Sequence, residues 1–323
     1  MPLLEIENLE VVHATNGVHT TLVSDLSYQI RSGETLAIVG ESGSGKSVSS
    51  LAVMGLLARD LSVTAGRMVF NGTDLRELSD EQMRQLRGRD ISMVFQEPMT
   101  SLNPVRTIGS QITESIEENL KYSKSEARDR AIALLREVGV ADAERRMRQY
   151  PHHFSGGMRQ RVMIAIALAA EPKLIIADEP TTALDVTIQA QILDLMTKVC
   201  RDHGTALILI THNLGIVARY AHRVNVMYGG RIVETGTPAD LYYSPRHPYT
   251  QGLLRSVPSL DQKRDQALRP IMGNPADPFT QIDGCRFHPR CPQAQNLCRS
   301  MRPTYDGRTA CHFPLKEQTQ EAS

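Results

Sequence analysis

The sequence Gly-Glu-Ser-Gly-Ser-Gly-Lys-Ser at residues 40–47 lies between an apolar run at 35–39 and a helix-forming stretch from Lys46 to about Leu57. It fits the pattern of a glycine, four residues, then Gly-Lys-Ser, in the strand–turn–helix setting that this pattern requires. Glycines let the backbone bend so that several N–H groups point inward at phosphate oxygens, and the following helix adds its positive end. The motif therefore predicts a phosphate-binding loop and a bound nucleotide.

Each loop residue has an expected task. Lys46 should neutralise the β- and γ-phosphates of ATP, and the Ser47 hydroxyl should bind Mg²⁺. The remaining nucleotide-binding residues that we predict in the loop are Gly40, Ser42, Gly43 and Gly45.

Two acids follow a second apolar strand. Residues 174–177 read Leu-Ile-Ile-Ala and are followed by Asp178 and Glu179. Open α/β sheets bind their ligands at this edge. Without other motifs, an Asp-Glu pair after a strand is more often part of a solvated turn. The phosphate-binding loop upstream makes a functional role for the two acids the better interpretation. We predict that Asp178 holds Mg²⁺ through coordinated waters and that Glu179 orients or deprotonates the attacking water.

The rest of the chain alternates strands and helices around a charged, helix-forming insertion. β-type runs at 4–12 and 22–30, separated by the turn-forming Thr15, Asn16 and Gly17, predict an antiparallel edge sheet. Apolar residues at helical spacing in 126–138 predict a helix inside the insertion, which spans 79–150. After it, β/α alternation resumes with the expected segments 156–170 (helix), 174–177 (strand), 188–200 (helix) and 206–210 (strand).

Composition excludes several classes of protein. The 323 residues are 41% hydrophobic and 22% charged, which is typical of a globular protein with a sizeable core. Lys plus Arg and Asp plus Glu both number 36, so no overall basic field points to nucleic acid. The longest apolar runs, 162–170 and 206–210, are shorter than the roughly 20 residues that span a bilayer. Met1 to Glu10 shows no secretory pattern, so we expect a cytosolic location.

Four of the five cysteines lie close together near the C-terminus, while Cys200 stands apart. Cys285, Cys291, Cys298 and Cys311 are separated by five, six and twelve residues. Four interpretations compete: disulfide bonds, a Cys₄ zinc site, an iron–sulfur cluster, and free thiols that pack as small apolar groups. A reducing cytosol disfavours disulfides, and zinc sites usually pair cysteines at two- to four-residue spacing, which is absent here. Iron–sulfur clusters also take four thiolates.

The stretch Phe154-Ser155-Gly156-Gly157-Met158, which opens a helix, resembles the signature of ABC ATPases. The commonest form begins with Leu and ends with Gln, so Phe154 and Met158 depart from it, while the Ser-Gly-Gly core is intact. Other family elements follow in order, and together they cover Leu4 to about Thr237. They are Gln96 in Val94-Phe95-Gln96, then Thr182-Ala183-Leu184-Asp185, then Thr211-His212.

This resemblance implies the fold and the order of domains. We expect an α/β P-loop NTPase of the ABC type over residues 1–245, with the antiparallel edge subdomain and a helical subdomain at about 90–165. A small cysteine-containing extension would follow at 246–323.

The resemblance also implies residue roles. Two cassettes face each other head to tail, so that Ser155, Gly156 and Gly157 contact the ATP held by the partner. Gln96 would act in catalysis and metal sensing, and His212 would hold the γ-phosphate and support Glu179. Asp185 would contact ATP across the interface. The family loop that presents an aromatic ring to adenine aligns near His13, so His13 would be the platform for adenine.

The kind of ABC protein is also indicated by resemblance. Glu97 followed by Pro98-Met99-Thr100-Ser101-Leu102-Asn103-Pro104, and His247-Pro248-Tyr249-Thr250 in the tail, are similar to the dipeptide, oligopeptide and nickel importer group. Some members carry a [4Fe–4S] cluster in this tail, so we expect such a cluster on the four cysteines, with Zn²⁺ as the alternative.

Membership implies two transmembrane permease subunits, a second ATPase chain, an extracytoplasmic substrate-binding protein and a place on the cytoplasmic face of the inner membrane. Nickel, glutathione or another solute stays open as cargo, and a soluble ABC ATPase is the other class.

Overall fold

The computed structural model describes residues 1–15, 17–97, 101–182, 184–256, 270–280 and 282–316. The chain packs into two units. The first consists of Met1–Leu3, Ile30–Thr35 and Glu77–Ile210, and the second of Leu4–Gln29, Leu36–Arg76 and Thr211–Ser323. Because these units are defined by packing rather than by chain order, the expected boundary at residue 245 stays a prediction.

The first unit combines three parallel strands with helices. Its strands are β6 (Ile91–Val94), β7 (Leu174–Asp178) and β8 (Ala206–Thr211), in the order β8-β7-β6. Its helices are α2 (Asp80–Leu86), α3 (Ile108–Leu120), α4 (Lys124–Glu137), α5 (Ala143–Arg146), α6 (Gly156–Leu168) and α7 (Val186–His203). Every residue of β7 is buried, which explains why its sequence is continuously apolar until the final acid.

Local sequence explains where the helices of the first unit begin. Ser79 and Ser123 each accept a hydrogen bond from the third residue of the helix that follows, and Gln82 or Glu126 at that position reaches back. These capping boxes satisfy backbone N–H groups that a helix start leaves open. In α4 the residues at helical spacing form one buried face: Ala127, Ala131, Leu134 and Leu135.

The second unit contains two groups of strands. The first is the sheet β2-β1-β4-β5, made of β1 (Leu4–Thr15), β2 (Val18–Ile30), β4 (Leu61–Phe70) and β5 (Thr73–Asp74). The second has the order β10-β9-β3, made of β3 (Thr35–Val39), β9 (Arg223–Tyr228) and β10 (Arg231–Gly236). β3 runs parallel to β9, and β10 runs antiparallel to β9.

Short helices complete the second unit. They are α1 (Lys46–Val53), α8 (Leu214–Val217), α9 (Pro238–Tyr243), α10 (Pro248–Arg255) and α11 (Asn296–Ser300). The region after α10 rests on an aromatic cluster, in which the ring of Tyr249 lies 4.6 Å from that of Tyr228 and 5.3 Å from that of Phe287. Stacked and tilted rings at these distances bury much area, so the cluster anchors the C-terminal region on strand β9.

The structure agrees with most predicted elements and adds others. β3, α4, α6, β7, α7 and β8 lie where the sequence places them, with ends shifted by a few residues. β6 interrupts the segment expected to be purely helical, and β4 extends the edge sheet beyond the two runs that were predicted. The predicted turn residue Asn16 lies outside the described residues. Across the described part of the chain, no helix has both the length and the apolar character required to cross a membrane.

Candidate nucleotide site

The loop after β3 has no room for side chains at its first glycine. A Cβ atom on Gly40 would lie 2.1 Å from the carbonyl oxygen of Met227 and 2.8 Å from the Ser44 hydroxyl. Gly43 and Gly45 have φ angles of 78° and 95°, in the left-handed region that favours glycine. The glycines of the motif are therefore required by close backbone approach and by backbone conformation.

Lys46 directs its amine into this loop. The side chain is buried, and Nζ donates to the carbonyl oxygens of Gly40 at 2.7 Å and Glu41 at 2.9 Å. A third contact, of 3.4 Å, joins Nζ to the Ser44 hydroxyl. Because Lys46 is also the first residue of α1, the cation and the positive end of the helix dipole lie together. A glycine cradle with a buried cation fits the phosphates of a nucleotide.

The two predicted acids lie at the end of β7 in the first unit. Asp178 is buried, and Glu179 has a φ angle of 45°, which is unusual for a residue with a side chain. Its N–H donates to the carbonyl oxygen of Ile210 at 3.0 Å, and its carboxylate accepts a hydrogen bond of 2.9 Å from the Thr182 hydroxyl. These contacts fix the direction of the carboxylate, as expected for a strained residue at a functional position.

Gln96 belongs to the same edge of the first unit. Val94, the last residue of β6, pairs with Ala177 in the parallel neighbour β7. Gln96 is two residues beyond that pair and Asp178 is one residue beyond it, so both follow the carboxyl ends of adjacent strands. Gln96 is exposed. The neighbouring Pro98, Met99 and Thr100, quoted above for the importer group, lie outside the described residues.

The signature residues form the start of α6. The Ser155 hydroxyl caps this helix by accepting from the N–H of Met158 at 3.4 Å. The helix starts at Gly156, and the position of a Cβ on Gly157 is 3.1 Å from a methyl group of Ile188.

Asp185 caps the neighbouring α7, accepting from the N–H of Ile188 at 3.0 Å. The structure thus brings Asp185 and the signature to adjacent helix starts, where Ser155 and Asp185 are both exposed. Ala183 of the same motif lies outside the described residues.

The two predicted histidines both lie in the second unit. His212 directly follows Thr211, the end of β8, and is exposed. His13 hydrogen-bonds to the Asp60 carboxylate at 2.9 Å, and its ring meets that of Phe279 edge-on at a centroid distance of 5.5 Å. Phe279 is 62% exposed, whereas the His13 side chain is only 21% exposed, so the ring presented to solvent here is mainly that of Phe279.

Sequence reasoning missed a contact between the loop and the C-terminal region. Arg290 forms a bidentate ion pair with the carboxylate of Glu41, and Tyr249 accepts a hydrogen bond from the N–H of Glu41. The sequence interpretation assigned no role to Glu41 and did not connect it with Arg290 or Tyr249. No sequence signal connects positions that far apart in the chain.

The expectation of an iron–sulfur cluster is wrong. Among the described residues, which include all four cysteines, no group of three or more His, Cys, Asp or Glu side chains is arranged to hold a metal ion. The same finding removes the zinc alternative. The four cysteines line a small cavity of about 20 Å³, which has room for about one water molecule.

The thiols act instead as packing groups. Burial raises the pKa of Cys285 and of Cys291, and it raises the pKa of Cys311 to about 11, so all three stay protonated near neutral pH. The Cys285 N–H donates to the Cys298 carbonyl at 2.8 Å. The cysteines are neighbours because the chain folds back at this point, and they pack as small apolar groups.

Comparisons with known proteins agree with this geometry. Residues 23–182 match the family model described as "ABC transporter", and residues 233–298 match "Oligopeptide/dipeptide transporter, C-terminal region". A dipeptide transport ATP-binding protein DppD of Bacillus subtilis is 50% identical over 311 residues, which cover 96% of this chain and 92% of that protein. An oligopeptide transport ATP-binding protein OppD of Salmonella typhimurium is 48% identical and covers 98% of this chain and 95% of its own length.

Solved structures with the same fold are ABC cassettes. CbiO1 from Clostridium perfringens, described as part of an ABC transporter complex, has a TM-score of 0.66 and 28% identity and covers 75% of this chain and 91% of that one. The cassette MJ0796, solved as a dimer bound to ADP and Pi, has a TM-score of 0.64 and 26% identity and covers 73% and 98%. This chain belongs to the ABC transporter family, in which it is an ATP-binding protein with the P-loop α/β fold.

Proposed function

We propose that the chain binds and hydrolyses ATP to power the import of dipeptides or oligopeptides. The observation that carries this proposal is similarity along nearly the whole chain, to transport ATP-binding proteins for those cargoes. The match at residues 233–298 supports the cargo class, because it lies beyond the residues 23–182 that match the ABC transporter model and is named for oligopeptide and dipeptide transporters.

The second unit supplies the phosphate contacts in this proposal. The glycine loop offers backbone N–H groups, and Lys46, held near the loop by three contacts, offers a charge-assisted donor. Gly40, Ser42, Gly43 and Gly45 form the cradle, and Ser47 in the first turn of α1 would hold Mg²⁺. His13 and the neighbouring ring of Phe279 offer a surface against which adenine can pack.

The first unit supplies the hydrolytic groups. Asp178 and Gln96, which follow the ends of adjacent strands, would be Mg²⁺ ligands of this unit. When bound, Mg²⁺ neutralises charge on the phosphate oxygens. Glu179 accepts the proton of the attacking water, with its carboxylate oriented by the Thr182 hydroxyl. His212, which belongs to the second unit, would bind the γ-phosphate.

The proposed activity needs further chains. Ser155, Gly156 and Gly157 start a helix whose N-terminal end is open to solvent, and Asp185 lies on the adjacent helix start. An exposed helix N-terminus attracts anionic phosphate, so this face is suited to the ATP held by a second ATPase chain. We propose such a second chain, two transmembrane permease subunits and a substrate-binding protein as partners, with this chain peripheral on the cytoplasmic face of the membrane.

Purification of the tagged chain from gentle detergent tests the assignment. We expect permease subunits and a second ATPase chain to co-purify, and ATP turnover by the complex to be much faster than by the isolated chain. The co-purifying binding protein is then titrated with dipeptides, oligopeptides, glutathione and Ni²⁺. Recovery of ribosomes or DNA-repair proteins, or binding of Ni²⁺ alone, contradicts the proposal.

A further inference from the structure

We propose that Arg290 and Tyr249, two residues of the C-terminal region, position the phosphate-binding loop for ATP by holding its residue Glu41. The inference rests on the proposed ATP binding by this loop and adds a task for the C-terminal region. Both are positioning residues, since they act on the nucleotide through Glu41.

The ion pair is short, bidentate and shielded. Arg290 Nη1 lies 2.6 Å from Glu41 Oε2, and Nη2 lies 3.0 Å from Oε1. The Arg290 side chain is only 5% exposed and that of Glu41 is 26% exposed. Parallel N–H···O bonds between a guanidinium and a carboxylate fix distance and orientation together. An exposed pair would contribute little, but this one is largely removed from water.

Arg290 is itself held in place by further contacts. Its Nε donates to the Met272 carbonyl at 3.1 Å, and Nη2 donates to the Ile271 carbonyl at 3.3 Å. The guanidinium also lies over the ring of Tyr228, with a centroid distance of 5.9 Å. Burial alone would lower the pKa of Arg290, but the hydrogen bonds to Glu41 and Tyr228 and the Glu41 charge raise it overall. The cation is therefore permanent and rigidly placed.

Tyr249 holds the backbone at the same residue. The Glu41 N–H donates to the Tyr249 hydroxyl oxygen at 2.9 Å. Tyr249 is fully buried in the aromatic cluster with Tyr228 and Phe287, and burial raises its pKa, so the phenol stays neutral. Backbone and side chain of Glu41 are thus fixed by two different residues of the C-terminal region.

The position of Glu41 explains why it must be held. Its carbonyl oxygen, like that of Gly40, accepts a hydrogen bond from Lys46 Nζ, so any movement of Glu41 moves the acceptors of the phosphate-binding amine. Its carboxylate is also a negative charge within an anion-binding loop. Without Arg290, that uncompensated charge would repel a triphosphate bound in the loop. Arg290 both orients the loop and neutralises this charge.

Binding of MgATP to the full chain tests the proposal, measured by displacement of a fluorescent ATP analogue and by the rise in thermal midpoint on adding MgATP. We expect Arg290→Ala to weaken MgATP binding by about tenfold, because the loop now spends little time in the binding conformation and carries an extra negative charge. Tyr249→Phe, which keeps the ring, should weaken binding by roughly threefold. Arg299→Ala, an exposed arginine of the same region, is the matched control and should bind normally.

A rescue separates neutralisation of the Glu41 charge from simple loss of structure. In the double variant Glu41→Gln, Arg290→Ala the repelling carboxylate is gone, so the part of the affinity lost to charge repulsion should return, while the part lost with the positioning contacts should not. A C-terminal region damaged by loss of Arg290 would not be repaired by a change at Glu41. Binding by Arg290→Ala equal to that by Arg299→Ala, tighter binding, or a double variant as weak as Arg290→Ala would each overturn the inference.

Lys46→Ala, measured alongside, keeps the two proposals apart. If it abolishes MgATP binding while Arg290→Ala changes nothing, the proposed ATP site stands and the role of Arg290 and Tyr249 fails. If Lys46→Ala binds MgATP normally, the proposed site itself fails.

Discussion

Gly40 and Met227 are in backbone contact: the carbonyl oxygen of Met227 in β9 lies 2.1 Å from the point where a Cβ of residue 40 would stand. Nothing flexible can yield there, since the obstacle is backbone in a buried strand. Gly40→Ala should therefore displace the loop and weaken MgATP binding by at least about tenfold. Displacement of a fluorescent nucleotide measures the change. Gly72→Ala is the control for steric displacement of the loop: the added methyl group meets nothing within 4 Å, and although a φ of +84° strains an alanine at this turn, nucleotide should bind normally.

Glu179→Gln should preserve ATP binding and abolish most hydrolysis. The amide keeps the shape and can still accept the hydrogen bond from Thr182, but it cannot take a proton from water. We expect turnover by the assembled complex to fall by about a hundredfold or more, with nucleotide affinity within about twofold of wild type. Turnover near the wild-type rate would show that another group is the base.

Ser155→Ala should affect both stability and turnover. Loss of its hydroxyl cap on α6 should cost about 1 kcal/mol of folding free energy. Turnover by the complex should fall further than that cost explains, because we propose that the hydroxyl also contacts the ATP held by the second ATPase chain. Ser123→Ala is the matched control, since Ser123 caps α4 in the same way. If both variants lose stability and neither loses turnover, the role of Ser155 is only structural.

His247→Asn should make the protein less sensitive to mild acid. Burial lowers the pKa of His247 from 6.5 to about 3, so at a pH between these values the unfolded chain binds a proton that the folded chain excludes. Stability due to neutral His247 is therefore complete above pH 6.5 and falls as the pH drops, by about 1.4 kcal/mol per pH unit. Asn keeps an acceptor for the Tyr249 N–H, now bonded to Nδ1 at 3.1 Å, and does not titrate.

Thermal midpoints at pH 7 and pH 5 check this prediction. The backbone N–H of His247 also donates to the carboxylate of Glu234, and burial raises the pKa of that carboxylate. Glu234 is present in both proteins, so its effect cancels in the difference. Equal acid sensitivity of wild type and variant would mean that His247 is not buried in its neutral form.

Local sequence was sufficient to predict the elements that form the nucleotide-binding part of the cassette. The buried strand β3, the glycine loop and α1 follow one another within 19 residues, 35–53, and each has its own signal in composition or spacing. The acids after β7 and the serine that caps α6 were equally readable, because short-range physics sets both strand ends and helix caps. β4 was not predicted, since its stability depends on pairing with β1 rather than on its own pattern.

The sequence by itself thus determined the class of fold and the residues of the phosphate loop, because those depend on neighbours in the chain. Only the tertiary structure decided what the C-terminal region does to that loop. Tyr249 and Arg290 are 208 and 249 residues from Glu41, and no local rule connects positions so distant. The cysteines also show what local sequence cannot predict. Their close spacing suggested a set of metal ligands, but whether thiols converge on a metal depends on how the chain folds around them. Packing of aromatic rings and a shielded ion pair, neither visible in a linear sequence, decide the contact between the C-terminal region and the loop.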